Sequence, residues 1–196
     1  MFRATKIQVY IKAMRPHGID AKRLLNGTEI DLDRISDPDY LISLDQYHAV
    51  ISNMMTLSGD SGIAFFLGDV GNLGELGIVG YAMLSANSLR QAIDIWVEYS
   101  NSFVGTPTNI ESYHDVSPGY ELIISSTSTF GAFRRFETEE LLVQGTKMVR
   151  YLTQAKTRVG RITFAYPEPP HRELYEKFFK CPIEFDAPRT DRKSVV

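Results

Sequence analysis

The stretch Ser88-Leu89-Arg90-Gln91-Ala92-Ile93-Asp94-Ile95-Trp96-Val97-Glu98-Tyr99-Ser100-Asn101-Ser102-Phe103, followed by Gly105-Thr106-Pro107, decides the fold class. Leu89, Ala92, Ile93, Trp96, Ser100 and Phe103 keep a helical period, and Ser88 with Gln91 has the spacing in which a hydroxyl and an amide satisfy orphan backbone donors at a helix start. The period breaks at Gly105-Thr106-Pro107. Asn109 to His114 and Glu121-Leu122-Ile123-Ile124-Ser125 then read as strands, with Ser117-Pro118-Gly119 as the turn of a β-hairpin. A helix that gives way to a hairpin within one short segment predicts an α+β chain.

The flanking sequence extends this pattern. Upstream, residues 63–84 are mostly apolar but carry Gly68, Gly71, Gly74, Gly77 and Gly80, which predicts short helical pieces joined by glycine turns. Before them, Ser43-Leu44-Asp45-Gln46 repeats the Ser-x-x-Gln start and leads into the stripe Leu44, Tyr47, Ile51, Met54, which should stop at Ser58-Gly59. Ile7, Tyr10, Ile11 and Met14 form a first helix ended by Pro16 and Gly18, and Asp20 caps a small second one with Leu24 and Leu25. Downstream, helical pattern returns from about Phe133 to Ala155, with Leu141, Gly145, Met148 and Leu152 on one stripe. Arg161 to Tyr166 alternates as a strand, Leu174, Tyr175 and Phe178 mark a short helix, Pro182 to Phe185 a brief strand, and Arg192 to Val196 a last edge strand. The expectation is a mainly helical first half, then helix plus a small antiparallel sheet, all in a single domain over residues 1–196.

Composition bounds the function. The chain has 196 residues, 24 acidic against 21 basic, for a formal charge of -3, and its Lys and Arg positions are scattered. A chain that grips nucleic acid unaided is more often basic along one face, so direct DNA or RNA binding by these residues is not expected. One cysteine, Cys181, excludes an intrachain disulfide and a multi-cysteine zinc site. No run approaches the roughly 20 apolar residues of a membrane span, and Met1 to Lys6 leads into a mixed helix rather than a signal-peptide core. A cytoplasmic protein with no membrane partner is expected.

Catalytic constellations are lacking from the pattern. His17, His48, His114 and His171 are far apart and form no metal-ligand spacing, Cys181 reads as a small buried side chain, no serine sits in a G-x-S-x-G elbow, and the glycines from 68 to 77 match no phosphate loop. Glu139-Glu140 and the acidic stretch from Asp31 to Asp39 read as solvated charges on a helix face and in a loop. Neither an enzyme, a metal nor a cofactor is expected. Aromatic residues make up 11% of the chain, and core packing accounts for most of them. The candidate ligand-binding residues are Tyr81, Trp96, Tyr99, Phe103 and Phe133, with Arg134 and Arg135, an aromatic wall with a few polar groups that fix a small ligand's orientation.

Three ordered segments carry a family resemblance. Gly80-Tyr81-Ala82-Met83-Leu84-Ser85-Ala86-Asn87-Ser88-Leu89-Arg90-Gln91-Ala92 has the pattern G-Y-A-x-x-S-x-x-x-L-x-x-A, the run from Ser43 to Gly68 ends in a Ser-Gly-Asp turn and a Leu-Gly, and the closing segment runs from Phe164 to Pro167 through Tyr175, Phe179, Cys181-Pro182 and Phe185 to Ala187-Pro188. Together they resemble the N-terminal effector domain of one branch of AraC/XylS-type bacterial transcription regulators. Ser58 stands where that turn more often has Thr. The resemblance covers about residues 5 to 196. It implies a domain that binds a small-molecule effector, forms a homodimer, and touches DNA only through a C-terminal helix-turn-helix domain. Seven residues follow Arg189, so that second domain is expected to lie outside this chain. The arabinose label attached to such domains does not itself imply arabinose here. An arginine clamp from Arg134, Arg135 or Arg150 would suit an amino-acid, carboxylate or fatty-acid ligand. The other reading is a dimerisation scaffold without a ligand.

Overall fold

The computed structural model describes residues 1–60, 62–103, 107–117, 119–128 and 131–195, without the side chains of residues 75, 100–103 and 195. Gly105-Thr106, Pro118, Phe130, Val196 and the Phe103 side chain therefore lie outside the described residues.

The first helix, α1 (Thr5–Met14), buries Ile7, Tyr10 and Met14 on the expected stripe, and the chain turns at Gly18 with φ +73°. Asp20 caps α2 (Ala21–Leu24), its Oδ1 accepting from the Arg23 amide at 2.8 Å. A two-residue strand, β1 (Phe2–Arg3), pairs antiparallel with β2 (Leu41–Ile42). Helix α3 (Leu44–Ser58) opens on the reciprocal cap expected: Ser43 Oγ accepts from the Gln46 amide at 3.1 Å, and the Ser43 amide donates to Gln46 Oε1 at 2.9 Å. Gly59, at φ +64°, ends it.

The glycine-interrupted stretch folds as α4 (Ile63–Val70), a 3-10 turn at Leu73–Leu76, and α5 (Gly77–Leu84). Two of its glycines are required by close approach. A Cβ on Gly68 would lie 2.7 Å from the Glu140 carbonyl oxygen, and one on Gly80 would lie 1.6 Å from the Leu73 carbonyl oxygen. The Gly of the Gly-Tyr-Ala signature thus lets α5 fold back onto the turn before it. Helix α6 (Leu89–Phe103) follows, with the Gln91 amide donating to Ser88 Oγ at 3.2 Å.

The expected hairpin forms between β3 (Thr108–Asp115) and β4 (Tyr120–Ser126), with Ile110 opposite Ile124. Helix α7 (Gly131–Leu152) crosses next, followed by β5 (Arg158–Thr163), α8 (Arg172–Phe179), β6 (Ile183–Glu184) and β7 (Thr190–Val195). The sheet runs β3-β4-β7-β5-β6, with three antiparallel pairings and β6 parallel to β5. The C-terminal strand is not at an edge, as its polar sequence suggested. It fills the centre between β4 and β5, where alternate residues Arg192 and Ser194 are buried.

Two apolar clusters result. One gathers Tyr10, Met14, Ile42, Tyr47, Ile51 and Met54 from the first three helices and β2. The other gathers Trp96, Ile110, Leu122, Ile162, Phe164, Tyr175 and Phe179 from α6, the sheet and α8. Helix α7 belongs to both, through Phe136 in the first and Leu142, Val143 and Met148 in the second. Among the described residues no helix is long and apolar enough to cross a membrane.

Candidate functional site

Helix α7 is buried on several sides, and it carries three glutamates into the interior. Glu137, Glu139 and Glu140 are only 3%, 1% and 6% exposed, so the solvated reading of Glu139-Glu140 is corrected. A buried carboxylate is stable only where donors replace its water, and each of these has its own set. Glu137 accepts from His48 Nε2 on α3 at 3.1 Å, from Thr108 Oγ1 on β3 at 2.8 Å, and from Ser128 Oγ at 2.7 Å. Glu139 accepts from His171 Nε2 at 2.8 Å and from the Tyr175 hydroxyl on α8, with the Arg135 guanidinium 3.8 Å away. Glu140 Oε2 accepts from the Tyr10 hydroxyl at 2.8 Å and from Lys6 Nζ at 2.9 Å, both on α1.

The tyrosines in these networks are held in the neutral form. Burial, reinforced by the negative charge of Glu140, pushes Tyr10 and Tyr47 well above the ordinary phenol range. Burial together with Glu139 does the same for Tyr166, and burial, the neighbouring Tyr166 and Glu139 do so for Tyr175. A phenol that keeps its proton remains a donor to the carboxylate beside it.

Two of the glutamates face a partly open cavity of about 470 Å³ lined from β1, α1, α3, α4, the 3-10 turn, α5, α6, β3 and α7. Glu137, Glu140 and Gln144 of α7, Lys6 of α1, Tyr47 of α3 and Trp96 of α6 line it, among apolar positions such as Val9, Leu67, Leu76 and Leu141. An adjoining cavity of about 330 Å³ shares Gly71, Leu76, Trp96, Leu141 and Gln144 with the first and continues past Leu73, Leu84, Ile110 and Met148. Volumes of this order suit small metabolites. A third cleft of about 520 Å³ lies beside the hairpin, but its Arg90 already pairs with Asp115 and lies over the Tyr113 ring.

Of the residues expected at the site, Trp96 lines both adjoining cavities, its Nε1 held by Asn109 Oδ1 at 3.0 Å. Tyr81 stands on the exposed face of α5 and Tyr99 on that of α6. Phe133 stacks on the His48 ring with centroids 4.1 Å apart, behind Glu137. Arg135 is directed to Glu139, and the Arg134 carbonyl accepts from Thr138 Oγ1. The structure does not gather these residues around one space. Lys6, Glu137 and Gln144 were not expected at the site, Tyr47 read as core and Glu140 as solvated, since Lys6 is an isolated charge in sequence and the stripe Leu141, Gly145, Met148 and Leu152 marks only one of the faces that α7 buries. The pair Thr108 and Glu137 offered no spacing signal at all. Among the described residues no group of three or more His, Cys, Asp or Glu is arranged to hold a metal ion.

Comparison with known proteins agrees with this architecture. The family model described as the arabinose-binding domain of AraC transcription regulators, N-terminal, matches residues 18–191. The chain belongs to this family. The ornithine utilization regulator of Pseudomonas aeruginosa is 25% identical over 172 residues, which is 88% of this AraC-type chain and 50% of that protein. An uncharacterized HTH-type transcriptional regulator of Mycobacterium tuberculosis, Rv1395, is 29% identical over 93 residues, 47% of this chain and 27% of that one. The crystal structure of the transcriptional regulator CdpR from Pseudomonas aeruginosa shares the fold, with a TM-score of 0.68 at 16% identity, covering 97% of this chain and 54% of CdpR. This AraC-type domain spans about half the length of the ornithine utilization regulator. These relatives are transcriptional regulators rather than enzymes, and the family is that of a ligand-sensing regulatory domain.

Proposed function

We propose that residues 1–196 form the effector-sensing domain of a cytoplasmic AraC-type regulator and that the cavity on α7 is its effector site. The observation that carries this is the placement of Glu140, Lys6 and Gln144 in the wall of a largely apolar cavity of about 470 Å³. A charged pair and an amide in an otherwise apolar wall are the few polar groups that fix a small ligand's orientation. Trp96, from the aromatic set singled out in the sequence, would line the same cavity. The relative named for ornithine utilization adds amino-acid-sized molecules to those worth testing first. Occupancy would favour one arrangement of α7 over another, and the attached DNA-binding half of a longer regulator would read that shift.

Two measurements test the reading. A ligand that binds only the folded domain raises its melting temperature by mass action, and Trp96, the one tryptophan in the chain, changes its emission when the cavity fills. A metabolite library should yield compounds that do both. A library in which nothing does either, with reversible dimer formation, would leave the scaffold reading instead. That second reading draws on the exposed apolar side chains Ile78, Tyr81 and Leu84 along α5, at 70%, 64% and 41% exposure, which form a surface suited to a second copy.

A further inference from the structure

We infer that the effector carries a cationic amine at one end and an apolar chain at the other, with Glu140 receiving the amine; this rests on the effector reading above. The argument begins with unspent hydrogen-bonding capacity. The Glu140 side chain is 8% exposed and lines the cavity. Its Oε2 takes both the Lys6 ammonium and the Tyr10 hydroxyl, whereas Oε1 receives no hydrogen bond among the described residues. That oxygen is accessible in the cavity wall, so a ligand that brings a charged donor finds a carboxylate oxygen ready to accept it. Glu137, its neighbour in the wall, is already saturated by His48, Thr108 and Ser128.

The surroundings select the sign of the ligand's charge. Two carboxylates line the cavity, and their negative charge helps to keep the Tyr10 and Tyr47 phenols protonated, after burial itself. Lys6, the cation beside Glu140, is committed to that carboxylate. Arg3, at the rim, donates to the Pro38 carbonyl and lies 3.9 Å from Asp39. Beside Glu140 an anionic head group would therefore meet two carboxylates, with the nearest cation, Lys6, already bonded to one of them. An ammonium would meet Oε1 and the aromatic faces of Tyr47 and Trp96, surfaces that attract cations. Gln144 lines both this cavity and the adjoining one, where the apolar space beside Leu73, Ile110 and Met148 suits a hydrocarbon tail.

Substitutions of opposite sign test this. Hexylamine, hexanoate and hexanol serve as probes, read by Trp96 emission and by melting temperature, on the wild type, Glu140→Gln and Lys6→Met. Hexylamine should bind the wild type at least about 10-fold more tightly than either of the other probes. Glu140→Gln should weaken it by about 10- to 100-fold, the loss expected of one charge-assisted hydrogen bond. Lys6→Met should strengthen it several-fold by releasing Oε2. Each variant is a control for the other, because a general loss of folding would weaken binding in both. Preference for hexanoate, weakened by Lys6→Met, would overturn the amine class while leaving the effector site in place. Equal hexylamine binding by all three proteins would overturn the role of Glu140. If neither the probes nor any library compound moves Trp96 emission or the melting temperature, the effector reading itself fails.

Discussion

Replacing Glu139 with Ala removes a carboxylate that accepts from His171 and Tyr175 and lies 3.8 Å from the Arg135 guanidinium. Hydrogen bonds to a charged group contribute about 1.5–3 kcal/mol each. The Tyr175 hydroxyl left behind cannot turn to water, since Tyr175 is 0% exposed. Tyr175 retains only its contact with the Tyr166 hydroxyl at 3.2 Å. Breaking a buried charged network from one side costs roughly 3–5 kcal/mol, a large share of the ~5–15 kcal/mol that holds a typical domain folded. In a chain of this size each kcal/mol lowers the melting temperature by about 2–4 °C, so Glu139→Ala should melt roughly 6–20 °C below the wild type. Glu139→Gln keeps an acceptor and should lose less. Urea unfolding followed by far-UV circular dichroism and by Trp96 emission gives the free energy, and coincidence of the two curves checks that a single transition is being measured. A loss below about 0.5 kcal/mol for Glu139→Ala is what a surface carboxylate would show, and it would refute the internal-acceptor argument for α7.

Two further predictions follow from the same interior. Tyr10, Tyr47, Tyr166 and Tyr175 all have folded-state values raised above the ordinary phenol value, mainly by burial. Their contribution to stability is present in full below about pH 10, the unfolded value, and is lost as the pH climbs above it. In an alkaline titration these four of the ten tyrosines should ionise only as the circular dichroism signal collapses, and smooth ionisation of all ten in a native-like protein would contradict their burial. Gly80→Ala would push a methyl group into the Leu73 carbonyl oxygen. It should destabilise the domain by about 1–3 kcal/mol, whereas Gly131→Ala, where a Cβ meets nothing within 4 Å, should be nearly neutral or slightly stabilising in thermal melts.

Much of the architecture was legible because its signals are local. A Ser-x-x-Gln start, a glycine stop or an alternating hairpin is written within a few residues, and α3, α6 and the β3–β4 pair sit where those marks predict. The centre of the sheet was not legible, because β7 is polar and its burial comes from its neighbours β4 and β5. Strands β1 and β2, at two residues each, are too short to show a period. The site was hidden for a related reason. Hydrophobic periodicity treats glutamate as a surface residue, and the donors that make Glu137, Glu139 and Glu140 stable indoors come from positions 29 to 134 residues away or from short loops. Among the described residues expected at the site, Trp96, on a clear stripe in the sequence, is the one that lines the cavity.

The three glutamates of α7 also have a consequence for motion. They lie at positions 137, 139 and 140 of one rod and point to different partners: His48 and Thr108, then His171 and Tyr175, then Lys6 and Tyr10. Leucine against leucine tolerates a small slip along a helix axis, but a carboxylate matched to one hydroxyl and one imidazole does not. Helix α7 is therefore keyed like a shaft with three teeth, and it cannot turn or slide at one contact while staying seated at the others. A displacement of α7 would have to break or carry with it contacts to α1, α3, β3 and α8 together.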